Sequence, residues 1–97
     1  MFHRAIERQN LQVAETTLRA LGRPTLAELL ELTILIAEQQ PRRHARVSAR
    51  WLQRYLEVRD QASIDDAAFV ASCLMALGGD RHSEPAATLR AVARVTG

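Results

Sequence analysis

Apolar residues recur along the chain at spacings of three and four, and no segment alternates at the period of two that marks a strand. The pattern is densest in residues 24–40, PTLAELLELTILIAEQQ. There Leu26, Ala27, Leu29, Leu30, Leu32, Ile34, Ile36 and Ala37 cover roughly 220° of a helical wheel, against roughly 100° for an ordinary surface helix. A helix that apolar needs neighbours on two sides. Thr25 and Glu28 form the T-x-x-E capping box that starts it, and Pro41 stops it by disfavouring helical geometry in the residue ahead.

The same spacing predicts helices on either side. A short first one carries Phe2, Ala5 and Ile6. A second, after the N-cap Asn10, carries Leu11, Ala14, Leu18 and Leu21 and closes at Gly22. The central helix is third, and a fourth spans residues 42–58 with an apolar arc through Ala45, Ser48, Ala49, Leu52, Tyr55 and Leu56. The fifth follows the cap Ser63 with IDDAAFVASCLMALGG, whose main stripe is Ile64, Ala67, Ala68, Ala71, Leu74 and Met75. Almost without a polar face, it is expected to be the second most buried element. Residues 80–83 are the most loop-like passage, and a sixth helix from about Glu84 turns Ala86, Leu89, Val92 and Ala93 inward.

These elements make an all-α protein of five or six short antiparallel helices joined by short links. Three helical hairpins, residues 2–22, 25–59 and 64–96, fit either a right-handed, solenoid-like array or a compact orthogonal bundle. The last two hairpins have about the length of a tetratricopeptide repeat and loosely resemble that class, without its tryptophan-leucine-glycine start. The stretches FHRAIERQNLQ, LGRPTLAELLELTILIA, RWLQRYLE and SIDDAAFVASCLMALGG resemble a group of short, all-helical actinobacterial proteins rich in alanine and arginine. That resemblance implies no activity.

Composition narrows the class. Ninety-seven residues are one domain's worth, 1–97, able to bury about 65% of the surface of the unfolded chain. That suffices for a core and leaves no room for a large cleft. No apolar run approaches the roughly 18 residues that span a bilayer, and MFHRAIERQN has charges where a signal peptide needs its apolar segment. The single cysteine, Cys73, can form neither an internal disulfide nor a cysteine metal cluster. A cytoplasmic protein off the membrane is expected. All thirteen cationic side chains are arginine, which beside so many alanines reads as base-composition bias and lowers the functional weight of each. A net charge of +2 does not by itself argue for nucleic acid. Its distribution says more, since residues 25–40 sum to −3 and residues 41–60 to +4.

The sharpest candidate surface is the fourth helix, where Arg43, Arg46, Arg50 and Arg54 fall within about 80° opposite the core arc. Such a row can meet an acidic protein surface, track phosphates, or simply stay solvated. A ladder to Glu28, Glu31 and Glu38 across the hairpin is the structural rival, which would set Glu31 near Arg50 and Glu38 near Arg43, although the row points away from the face that must pack. Arg42 and Arg43 also stand at a helix N-terminus, where cations are unfavourable, so something must compensate them. Leu35 lies among Glu28, Glu31, Glu38 and Gln39, as an isolated surface leucine or the centre of a contact. Trp51, Val47 and Val58 flank the fourth helix, and Phe69 and Cys73 the fifth. Each pair of flanks implies another packing neighbour or an apolar patch left for a second chain.

Catalytic chemistry finds no constellation. His3, His44 and His82 have no metal-ligand spacing, Asp65 and Asp66 suit helix capping, and Gly78 and Gly79 follow a helix instead of opening one. The expectation is a non-enzymatic helical protein-interaction module without a cofactor. Its partner would be an unidentified protein or a second copy, and its surface would draw on Arg43, Arg46, Arg50, Arg54, Trp51, Val47 and Leu35. A nucleic-acid-binding accessory protein using the arginine row is the alternative.

Overall fold

The computed structural model describes residues 1–79 and 82–96. Asp80 and Arg81, in the passage expected to be loop-like, and Gly97 lie outside the described residues. Among the described residues there are six α-helices and no strand: α1 (Phe2–Glu7), α2 (Leu11–Leu21), α3 (Leu26–Gln39), α4 (His44–Val58), α5 (Ile64–Ala76) and α6 (Ser83–Thr96), with a 3-10 turn at Pro41–Arg43. The chain is all-α.

Helix α3 starts and stops where its sequence says it should. The Glu28 amide donates to Thr25 Oγ1 at 3.1 Å and the Thr25 amide to Glu28 Oε1 at 2.9 Å, so two orphan donors of the first turn are satisfied reciprocally. At the other end the Gln40 amide reaches Ile36 O at 2.7 Å before Pro41 opens the 3-10 turn. Between these limits α3 is covered on opposite sides. Leu26, Leu30, Ile34 and Ala37 pack with Trp51 and Tyr55 of α4, Val70 and Leu74 of α5, and Ala86, Leu89 and Ala93 of α6. Leu35 and Ile36 face the other way, into Phe2, Ala5, Leu11, Ala14 and Leu18 of the α1–α2 hairpin. Leu29 touches both clusters. The wide apolar arc thus has the two sets of neighbours it required. Because α6 returns to α3 as well as packing on α5, the three hairpins close into a bundle of 35 × 31 × 21 Å.

Two elements differ from expectation. Helix α4 is rotated towards its flank, so that Ser48, Trp51 and Tyr55 are buried while Ala45, Ala49 and Leu56 stay exposed. The indole decides this. It is the largest apolar body on the helix, and its Nε1–H donates to Leu26 O at 2.9 Å, which satisfies the one polar group that would oppose its burial. Helix α5, expected to be the second most buried, is largely uncovered: Val70 and Leu74 are its only buried residues, and Ile64 is 87% and Met75 77% exposed. It packs on α4 and α6, and the side carrying Val70, Leu74 and the following Leu77 took those contacts. An apolar pattern nearly all round gives no orientation, so the wheel alone chose the wrong side.

Candidate functional site

The expected surface does not survive as a unit. Leu35 is 4% exposed and sits in the cluster built with α1 and α2. The N-terminal hairpin covers the flank of α3 beside its glutamates, so polar neighbours on the wheel did not mean solvent. Trp51 is 2% exposed and lies nearly parallel to Tyr55, with ring centroids 5.8 Å apart. Val47 is half-buried against the second cluster. Leu35 and Trp51 are not available to a partner as surface anchors.

The arginines divide. Arg43 leaves the row altogether and makes a fork on Glu15 of α2, Nη1 to Oε1 at 2.8 Å and Nη2 to Oε2 at 3.0 Å, with Nη1 also donating to Gln40 Oε1 at 2.9 Å. These hydrogen bonds hold the Glu15 carboxyl below its ordinary value and raise Arg43 above its own. Here is the compensation that a guanidinium at a helix N-terminus needs. Arg54 stands 3.6 Å from Glu57 in an exposed pair, which contributes little. Arg46 and Arg50 are exposed, and among the described residues neither has a carboxylate within 4.0 Å.

The rival glutamate ladder is not formed among the described residues, and Glu31 and Glu38 have other partners. Glu31 receives a fork from Arg90 of α6, with Nε to Oε2 at 2.7 Å and Nη2 to Oε1 at 2.9 Å. Glu38 lies 3.2 Å from His82 Nε2. Both pairings follow from α6 folding back on α3, which hairpin-by-hairpin pairing does not anticipate.

What the chain does present is an apolar groove between α4 and α5. A cavity of about 430 Å³ is lined by Ala45, Ala49 and Leu52 of α4 and Ala71, Leu74 and Met75 of α5, together with His44 and Ser48. His44 Nε2 is 2.7 Å from Leu74 O. A carbonyl can only accept, so that nitrogen carries the proton. The Ser48 hydroxyl is buried and has no hydrogen-bond partner among the described residues. Outside the groove the apolar surface continues through Ile64 and Ala68, and past the ridge of α5 to Phe69, 55% exposed, and Val95 of α6. Leu56 extends it along α4. Sequence reasoning missed this face by assigning α5 to the interior. The signal was present, because a helix apolar all round that packs chiefly on two neighbours, α4 and α6, leaves one side uncovered.

A second concavity of about 360 Å³ opens between α2, α3 and α4, with Leu29, Leu32 and Val47 in its wall and Arg19 and Arg50 among its polar lining. Cys73 is half-buried, and burial pushes its thiol above the ordinary value, which keeps it protonated and a poor nucleophile. Among the described residues no three His, Cys, Asp or Glu side chains gather as a metal would require, and no helix is long and apolar enough to cross a membrane. Comparison of the chain with protein-family models, with curated proteins and with solved structures gives no match.

Proposed function

We propose that this chain is a small, non-enzymatic protein-interaction module, cytoplasmic and without a cofactor, that works by seating another helical surface on its α4–α5 face. The observation that carries this is the exposure of Ile64 and of Met75, the latter in the wall of an apolar cavity, on a helix whose sequence would place both inside. Covering each such side chain is worth about 1.5–3 kcal/mol. A continuous apolar face of this kind on a small protein marks a binding surface more than it marks chance exposure. The arginines contribute as a rim: Arg46 borders the groove side of α4 and can select the charge of whatever docks.

Arg46 and Arg50, both without a carboxylate neighbour among the described residues, favour one second reading, an accessory protein that follows nucleic-acid phosphates with Arg46, Arg50 and Arg54. The two separate cleanly. Tagged protein isolated from its host should bring down protein partners that an Ile64→Glu, Met75→Glu double variant loses, at a yield that changes little between low and moderate salt. If that variant keeps every partner, while glutamines at the three arginines abolish a salt-sensitive association with DNA or RNA, the second reading takes the place of the first.

A further inference from the structure

We infer that the occupant of the α4–α5 groove is a second copy of this chain, in a two-fold dimer whose α5 helices run antiparallel, each lying in the groove of the other. The inference rests on the docking reading above and adds the identity of the partner. It starts from the order of sizes along the uncovered side of α5. Ile64 and Met75 stand at the two ends, and Ala68, Ala71 and Ser72 lie between them. Antiparallel apposition about an axis near the small residues brings the helices close at the centre and sets Ile64 of each copy against Met75 of the other. A self-complementary patch of this form is what an isologous interface needs.

Charge chooses both the direction and the partner. Helices α4 and α5 are antiparallel within one chain, since His44 at the start of α4 meets Leu74, while Arg59 just past its end meets Asp66. A second α5 antiparallel to the first therefore runs parallel to α4. Its first turn, with exposed Asp65, arrives beside the first turns of α4, where exposed Arg46 stands. Among the described residues, neither Asp65 nor Arg46 has an oppositely charged group within 4.0 Å in the single chain. Symmetry makes the match twice. A parallel pair would instead place Asp65 and Asp66 of both copies together at two positive helix ends, with the carboxylates repelling one another and Arg46 left unmatched.

Light scattering and sedimentation equilibrium on the full chain, over a concentration series up to about 0.5 mM, test this. The expected mass is that of two 10.8 kDa chains, falling to one on dilution. Met75→Glu should weaken the dimer at least about tenfold, as loss of a buried apolar anchor does, with helicity unchanged by circular dichroism. Asp65→Arg and Arg46→Asp should each weaken it about threefold or more, and together restore it to within about twofold of the parent. Both positions are exposed, so this pair reports on association even if the Met75 variant folds poorly. A mass of one chain throughout the series overturns the inference, as does a dimer in which the two charge reversals add instead of cancelling. Should the single-chain mass accompany loss of host partners in the Ile64→Glu, Met75→Glu variant, the docking module stands with a different occupant. With partners retained as well, both fail.

Discussion

The Arg43–Glu15 fork ties α4 to α2 through one carboxylate and one guanidinium, and its effect on stability has a definite sign. Glu15 titrates below its ordinary value in the folded chain because Arg43 hydrogen-bonds its ionised form. The folded state therefore binds that proton less readily than the unfolded state does. The resulting stability is fully present above the ordinary carboxylate range and is lost as pH falls through the lowered value. Arg43→Gln should cost up to about 1 kcal/mol at neutral pH, discounted because Arg43 is partly exposed, and the gap between variant and parent in urea titrations should close in acid. A gap that stays constant with pH would show that the fork contributes packing and not charge. The need for such a partner was legible from cations at a helix start. The identity of Glu15 was not, since a pair between α2 and α4 depends on how each helix is rotated about its axis.

At the scale of elements, α3 was readable almost to the residue because three local signals agree: the capping box, the proline stop and the breadth of the apolar arc. Its reciprocal cap and the matching one on α5, where Ser63 and Asp66 exchange amide hydrogen bonds at 3.0 and 3.2 Å, make a paired prediction. Thr25→Ala and Ser63→Ala should each lower the unfolding free energy by about 1 kcal/mol, read from denaturant midpoints at unchanged slope. Helices α4 and α5 were harder for opposite reasons. In α4 the alanine-rich side looked like core, yet bulk at Trp51 and Tyr55 outweighed it. In α5 no polar side existed to point outward, and the choice fell to which residues met α4 and α6. Leu35 belongs with these cases, because a wheel records which residues share a side and not whether a neighbouring hairpin covers it.

For the molecule as a whole, the consequence of α3 serving two clusters is that neither can melt alone. Leu35 lies with α1 and α2, whereas Trp51, the single tryptophan, lies in the cluster with α4, α5 and α6. Leu35→Ala should nonetheless shift the thermal midpoint seen by Trp51 fluorescence, by the amount that a cost of about 2–5 kcal/mol implies for a buried leucine. Helicity followed by circular dichroism should move with it in one transition. Two separate transitions, with the tryptophan signal unmoved, would mean that the N-terminal hairpin is a detachable unit. The closed arrangement round α3 could not be read from the chain, since hairpin lengths suit an open array equally well, and what distinguishes them is a contact between α3 and α6.

That contact also sets a timetable. Glu31 and Arg90 are 59 positions apart, so the fork joins them only after the longest loop among these ion pairs has closed, whereas each hairpin needs partners only a few dozen residues away. During synthesis the N-terminal hairpin leaves the ribosome first and can shelter one side of α3 at once. The other side, begun by α4, is covered in full only once the final helix emerges. A nascent chain halted before residue 83 should accordingly remain open to protease along α3, and release of the last segment should confer resistance abruptly.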